Sequence, residues 1–152
     1  MGAIDKKFEE EEKADRPPPY IIDASALYPL LLRLEDGTSF VKLLPRLRVL
    51  DLTKYEIGNA ARFDTKIENA ASVMGLWEEI LRSMGEKRIT SLVNVEKIAV
   101  QNSITFYDAA YLDAAMNLRS KVVTMDHEIL KKFKDNTIDL DSFEPQLKGK
   151  KL

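Results

Sequence analysis

The sequence contains no cysteine and a single histidine, His127, and these two scarcities exclude several kinds of functional site. Without cysteine the chain forms no disulfide, no thiolate zinc site and no thiol nucleophile. One histidine cannot build a multi-histidine metal centre, so acid–base chemistry is left mainly to carboxylates. Any catalytic site in this chain therefore depends on oxygen ligands and oxygen acids.

Long apolar runs and glycine-rich phosphate loops are missing as well. No stretch reaches the roughly 20 apolar residues of a membrane helix, and the most apolar one, residues 20–32, is interrupted by Asp23. It also follows an acidic leader, whereas secretory signals begin with basic residues. The chain has neither a Gly-x-Gly-x-x-Gly motif nor a Walker loop. We expect a soluble, cytoplasmic protein with no membrane partner.

The charges divide the 152 residues into a leader, one domain and a tail. Residues 1–19 combine EEEE with PPP and carry six of the 25 acids and four of the 23 bases, which leaves the remainder formally neutral. We expect this leader to be disordered, with a short docked helix as the alternative. Residues 20–145 suit one folded domain, and residues 146–152 a basic tail.

Short β-type runs alternate with longer segments of helical periodicity after the prolines. This alternation predicts an α/β domain with a mainly parallel central sheet. The helical spacing from Ile67 to Met84 predicts a core helix, with Gly85 as its C-cap. The predicted strands cover residues 20–22, 49–52, 89–92 and 121–125, with a further edge strand within residues 137–143.

Four acids fall where the strands of such a sheet end. Asp23 and Asp126 directly follow β-type runs, and Glu56 lies just past a third one. Asp108 lies in the helical stretch TFYDAAYLDAA, where its spacing to Tyr111 turns it toward the apolar side. Since functional groups gather at the carboxyl ends of parallel strands, we expect these acids to meet there.

Each acid also has a purely structural explanation. Asp23 and Asp126 could cap the helices that follow them, and Thr-x-x-acid capping boxes end at Glu56, at Glu68 and at Asp108. For any one of these acids the capping explanation is the stronger one. The coincidence of four at one end of a single predicted sheet favours a functional site instead.

Four ionised carboxylates in one pocket repel one another unless cations offset their charge. Mg²⁺ or Mn²⁺ prefers oxygen ligands and commonly bridges carboxylates to phosphate oxygens. Such ions suit in-line hydrolysis of a phosphodiester. The sequence therefore predicts a hydrolytic metal site rather than a covalent intermediate.

The motifs YIIDASAL, KYEIGNA, FYDAAYLDAA and VVTMDHEIL occur in this order over residues 20–143. By these motifs and their order, the chain resembles the PIN-domain ribonucleases, which include the VapC-type toxins of toxin–antitoxin pairs. The resemblance implies a three-layer α/β/α PIN-like domain and an Mg²⁺- or Mn²⁺-dependent endoribonuclease that cuts an RNA substrate. Its catalytic, metal-binding acids match Asp23, Glu56, Asp108 and Asp126.

The same resemblance places hydroxyl residues at Ser25 and Thr124, for which we expect supporting roles through hydrogen bonds to the acids or to metal-bound water. It further implies a homodimer and a separately encoded antitoxin protein that blocks the acidic site. His127 is expected on the surface, and Asp113 as a solvated or structural acid outside the site.

Two alternatives to a nuclease stay open. A non-catalytic RNA-binding or assembly module could share the fold, although such a module gains little from a costly acidic pocket. Aspartyl-phosphate chemistry at Asp23 is the other alternative, but Ser25 stands where haloacid dehalogenase-type phosphatases carry a second aspartate. Basic residues near two of the acids could meet phosphates, and for each the simpler interpretation is a solvated helix face: Lys54, Arg62, Lys66, Lys131, Lys132 and Lys134.

Overall fold

Five short parallel strands form the centre of the structure, a computed structural model that describes residues 18–33, 42–63 and 70–148. The strands lie side by side in the order β3-β2-β1-β4-β5. They are β1 Tyr20–Ile22, β2 Leu47–Val49, β3 Gly85–Glu86, β4 Val122–Thr124 and β5 Thr137–Asp139.

Helices cover both faces of this sheet, as the order of strands and helices in the sequence predicts. They are α1 Ala24–Arg33, α2 Thr53–Phe63, α3 Ala70–Ser83, α4 Leu92–Asn102, α5 Phe106–Asn117, α6 His127–Lys132 and α7 Leu140–Lys148. The predicted α/β/α architecture is therefore confirmed. No helix in the described ranges combines the length and the apolarity that crossing a membrane requires.

Alternation along the strands builds one hydrophobic core on each face. Ile22 and Val123 point to the face covered by α1, α2, α3 and α7, where Leu27, Trp77 and Phe143 pack. Their neighbours Ile21 and Val122 point to the opposite face, which α4 and α5 cover. These positions of β1 and β4 are apolar on both faces, as expected for a buried parallel sheet.

The strand order has a switch point between β1 and β4. The chain runs outward from β1 through β2 to β3, and then crosses back to β4 on the other side of β1. In such sheets the crevice at the carboxyl ends of the two strands flanking the switch is the usual ligand site. Asp23 follows β1 and Asp126 lies just beyond β4, so the fold brings these two acids to that crevice.

Several predicted strand bounds are wrong at the carboxyl edge. The second strand ends at Val49, where we predicted it to begin, because the Leu50 amide donates to the Thr53 hydroxyl and closes a turn before α2. The third strand is Gly85–Glu86 and not residues 89–92, where Ser91 caps α4 instead. The strands at residues 20–22 and 121–125 are confirmed, the latter shortened by one residue at each end.

The ends of α3 and β5 also differ from prediction. The core helix ends at Ser83, and Gly85 lies in β3 with no left-handed φ, so the predicted glycine C-cap is wrong. Of the late apolar run, only Thr137–Asp139 is a strand. Helix α7 begins at Leu140 because Asp139 Oδ1 accepts the Ser142 amide and caps it.

Some sequence predictions fall outside the described residues. They concern most of the leader, Ile67, the capping box that ends at Glu68, Lys66 and the last four residues. Helix α7 continues to Lys148, inside the segment assigned to the tail.

Candidate functional site at the carboxyl edge of the sheet

The structure brings Asp23, Glu56, Asp108 and Asp126 to one region, where their charges act on one another. Asp108 interacts electrostatically with each of the other three acids, and Asp23 also acts on Glu56. None of the ion pairs within the described ranges includes any of the four. Asp108 is therefore the centre of a group of carboxylates that no described lysine or arginine neutralises.

Asp23 is held by a set of donors that surround the end of β1. Its Oδ1 accepts the Ser25 hydroxyl at 2.6 Å and the Ala26 amide at 3.1 Å. Burial raises the pKa of Asp23 above its ordinary value, and the charge of Asp108 adds to this, while the hydroxyls of Ser25 and Thr124 and the Ala26 amide oppose it. Asp23 thus caps α1 and faces the other acids at the same time.

Ser25 and Thr124 connect the first acid to the last. The Met125 amide donates to Ser25 Oγ at 2.9 Å, and the Asp126 amide donates to Thr124 Oγ1 at 3.1 Å. The two hydroxyl oxygens lie 3.2 Å apart. Backbone amides just beyond β4 therefore fix the hydroxyls of Ser25 and Thr124 beside Asp23, the two residues for which sequence analysis predicted a supporting role.

Glu56 is held from the opposite face of the sheet by a residue that sequence analysis did not assign to the site. Tyr111 Oη donates to Glu56 Oε1 at 2.6 Å and contacts Thr53 Oγ1 at 2.7 Å. Since the Tyr111 proton goes to Glu56, the Thr53 hydroxyl donates to Tyr111 and in turn accepts the Leu50 amide. The result is a buried chain of donors that ends on Glu56 Oε1.

Burial shifts the pKa values of Glu56 and Tyr111, the last two residues in this series of hydrogen bonds. Burial raises the pKa of Glu56, the Tyr111 hydrogen bond lowers it, and the charges of Asp23 and Asp108 raise it further. Burial together with the adjacent Glu56 raises the pKa of Tyr111, so its hydroxyl stays protonated and remains a donor. The sequence did carry a signal, because Tyr111 lies three residues after Asp108 on the same helical face.

Asp108 and Asp126 complete the group from two helix starts. Thr105 caps α5 by accepting the Asp108 amide, and burial together with the Asp126 charge raises the pKa of Asp108. Asp126 Oδ1 accepts the amides of Glu128 and Ile129 and caps α6. The capping explanation is therefore true of Asp126, yet its Oδ2 receives no hydrogen bond from a described residue.

The structure gives different surroundings to His127 and Asp113, the two residues that sequence analysis set aside from the site. His127 is exposed in the first turn of α6. Asp113 is only 6% exposed, and it accepts a hydrogen bond from Asn117 one turn along α5. Of the two predicted roles for Asp113, the structural one is confirmed.

The carboxylate oxygens of the four acids are the type of ligand that hard divalent cations prefer, but the four acids do not surround a single position. Within residues 18–33, 42–63 and 70–148, no three His, Asp or Glu side chains converge closely enough to surround a metal ion. All four acids offer carboxylate oxygens, and Glu56 Oε2 and Asp126 Oδ2 are free of described donors. Such oxygens in a region of unneutralised negative charge match the preference of Mg²⁺ and Mn²⁺.

Two proteins of Pyrobaculum aerophilum resemble this chain over nearly their whole length. "Exonuclease VapC9" is 33% identical over 128 residues, which cover 83% of this chain and 93% of that protein. "Ribonuclease VapC3" is 31% identical over 122 residues, which cover 74% of this chain and 93% of that protein. No protein-family model matches the chain.

Solved structures agree with this relationship. The crystal structure of PAE2754 from P. aerophilum superposes with a TM-score of 0.78 at 29% identity, over 88% of this chain and 98% of that one. A toxin–antitoxin complex from Klebsiella pneumoniae shares the fold, with a TM-score of 0.58 at 14% identity over 78% of this chain and 95% of that one. With its sequence similarity to two VapC proteins and this fold, the chain belongs to the VapC-type PIN-domain family.

Proposed function

We propose that this protein is an Mg²⁺- or Mn²⁺-dependent endoribonuclease that hydrolyses RNA phosphodiester bonds at Asp23, Glu56, Asp108 and Asp126. The observation that carries the proposal is the meeting of four carboxylates at the carboxyl edge of the sheet, where Asp108 interacts electrostatically with the other three and none of the described ion pairs includes any of them. Four carboxylates without a neutralising partner lower the stability of the fold. A bound cation would offset this cost, and a functional site accounts for its presence.

The names of the relatives support nuclease activity. One relative is called a ribonuclease and the other an exonuclease. RNA is the substrate that we assign to this chain, because one relative is named a ribonuclease and a site made only of oxygen ligands suits hydrolysis of a phosphodiester.

The site contains two kinds of residue: acids that would bind the cations, and residues that orient those acids. The four acids would bind the cations, which supply the Lewis acidity that phosphodiester hydrolysis needs. Ser25 and Thr124 orient Asp23, and Tyr111 with Thr53 orients Glu56. In Asp23 and Glu56 these hydrogen bonds occupy Oδ1 and Oε1, and the second carboxylate oxygen is left for a cation or water.

A circular single-stranded RNA distinguishes the proposed endonuclease from an exonuclease, because a circle has no ends. The purified protein should linearise the circle in Mg²⁺ or Mn²⁺ and leave it intact in EDTA. Digestion of the linear RNA alone would contradict internal cleavage and favour an exonuclease. Digestion in EDTA would contradict the metal requirement.

A non-catalytic RNA-binding module is the second candidate, and one observation favours it. The acids do not converge on a single point in the described structure. If this candidate is correct, the protein binds RNA equally well before and after Asp23→Asn, and no cleavage follows when Mn²⁺ is added to the bound RNA.

We assign to the protein a toxin role and a homodimeric state. The toxin role, with an antitoxin partner, is supported by the toxin–antitoxin complex that shares the fold, and the dimer is supported by the exposed apolar face of α4. On that face Leu92, Val93 and Val100 are between 64% and 71% exposed. Expression of the protein should arrest growth where Asp108→Asn does not, and Val93→Glu with Val100→Glu should convert a dimer to a monomer in sedimentation.

A further inference from the structure

A cleft of about 760 Å³ lies between α2 and α3. Val49 and Leu50 form its inner end, at the carboxyl end of β2, and Met74 and Leu81 add apolar surface from α3. The cleft therefore opens at the same edge of the sheet as the four acids. Its volume lies within the range of small-ligand sites in proteins.

Helix α2 contributes residues both to the cleft and to the group of acids. Lys54 and Tyr55 line the cleft, and the next residue, Glu56, belongs to the carboxylate group. The Tyr55 ring is 70% exposed, with Lys54 Nζ 5.3 Å from its centroid. Lys54 takes part in none of the ion pairs of the described ranges, so its charge is available to a ligand.

Gly75 gives a separate indication that the cleft is kept open. It lies inside α3, where glycine costs about 1 kcal/mol relative to alanine, and its φ is not in the left-handed region. A Cβ built at Gly75 meets no atom within 4 Å. Neither packing nor backbone conformation therefore requires glycine there, whereas a larger side chain at this position would enter the cleft that Gly75 lines.

We propose that this cleft binds an unpaired nucleobase of the single-stranded RNA substrate, with Tyr55 stacking on the base and Lys54 meeting an adjacent phosphate. The inference rests on the proposed function, since the neighbouring acids identify a phosphodiester chain as the ligand. Aromatic rings beside a basic side chain are the common platform for single-stranded nucleic acid. An apolar floor with a polar rim suits the flat face and hydrogen-bonding edge of a base.

This assignment makes single-stranded RNA the preferred substrate class. In a duplex the bases are stacked and paired, so none is free to enter the cleft. Binding a base next to the acids also fixes the phosphate that follows it relative to Asp108, which couples recognition to cleavage.

The test uses one substitution that fills the cleft and one that removes its aromatic ring, each with a matched control. Gly75→Phe fills the cleft and Gly75→Ala leaves it open. Tyr55→Ala removes the stacking ring and Tyr55→Phe keeps it. None of the four substitutions touches the acids or the hydrogen bonds that hold them, and circular dichroism should show parental folding for all.

Binding is measured by fluorescence anisotropy in EDTA at low ionic strength, with a labelled unstructured RNA and with the same RNA made abasic at every position. The repulsion between acids and phosphates is the same for every variant, so differences report on the cleft. The parent, Gly75→Ala and Tyr55→Phe should bind the natural RNA about tenfold tighter than the abasic one. Gly75→Phe and Tyr55→Ala should lose this preference.

The results separate this inference from the proposed nuclease. A parent that cleaves RNA but binds natural and abasic RNA equally would overturn the inference and leave the nuclease intact. Parental binding and base preference in Gly75→Phe would also overturn it, and would favour a side chain of a protein partner as the occupant. A base preference that disappears in Gly75→Phe, in a protein that cuts no RNA with Mn²⁺, would support the cleft and contradict the nuclease.

Discussion

Tyr111 Oη lies 2.6 Å from Glu56 Oε1, although the two residues belong to helices on opposite faces of the sheet. The bond crosses the carboxyl edge of the sheet and fixes a site acid from the far layer. This hydrogen bond makes Tyr111 a positioning residue for Glu56.

Tyr111→Phe should lower kcat for RNA cleavage about tenfold and leave KM within a factor of about two, because it removes a hydrogen bond to the acid and no substrate contact. Loss of that bond raises the pKa of Glu56, so the acidic limb of the pH–rate profile should move to higher pH. Tyr107→Phe is the matched control, since Tyr107 is 63% exposed on the same helix. An unchanged pH profile in Tyr111→Phe would contradict the positioning role.

Ser25→Ala should weaken Mn²⁺ binding about tenfold in calorimetry, because Asp23 loses the hydroxyl that orients it and favours its charged form. Ser142→Ala is the control, since Ser142 also donates to an aspartate, Asp139, which caps α7. Equal Mn²⁺ affinities for the two variants would show that Ser25 does not support the metal site.

The stability of the metal-free protein should fall as the pH rises above the ordinary carboxyl range. The pKa values of Asp23, Glu56 and Asp108 are raised in the folded state. Between the unfolded-state and the folded-state pKa of each acid, the folded chain therefore binds more protons than the unfolded chain. Their contribution is complete below the unfolded pKa and is lost as the pH passes the folded pKa.

Asp23→Asn removes one of these buried charges while keeping an oxygen for the Ser25 and Ala26 donors. In EDTA at pH 7.5 it should raise the free energy of unfolding by about 1 kcal/mol, or Tm by about 2–4 °C for a domain of this size. The gain should vanish near pH 4, and Mn²⁺ should raise the Tm of the parent more than that of the variant. A lower Tm for Asp23→Asn at pH 7.5 in EDTA would contradict this account of the acids.

The fold was predictable because its signals are local and repeated. The alternation of β-type runs with helical periodicity predicts the parallel sheet, and Asp23 and Asp126 lie after strands whose apolar residues are unmistakable, YII and VVT. Strand β3 was missed because it is only the two residues Gly85 and Glu86, neither of which favours a strand. Its place is set by pairing with β2, a tertiary effect that no local pattern reports.

Sequence analysis placed the four acids at one edge of the sheet and Ser25 and Thr124 beside Asp23, but it missed the hydrogen bonds of Tyr111 and Thr53 that hold Glu56. Asp126 shows why capping and function could not be separated from sequence, since one of its oxygens caps α6 while the other stays free of described donors. Thr53 fits a capping box with Glu56, yet its hydroxyl accepts the Leu50 amide and contacts Tyr111 instead. That contact joins residues 58 positions apart, beyond the reach of helical spacing.

Cleavage of an unstructured RNA by the parent, Asp108→Asn and Asp113→Asn, each with Mg²⁺, Mn²⁺ or EDTA, tests the central claim most directly. Both acids lie on α5, but only Asp108 belongs to the carboxylate group, while Asp113 is a buried structural acid. The account predicts metal-dependent cleavage by the parent and by Asp113→Asn, and a loss of at least about 100-fold in Asp108→Asn. Cleavage by Asp108→Asn at the parental rate, or cleavage that persists in EDTA, would contradict it.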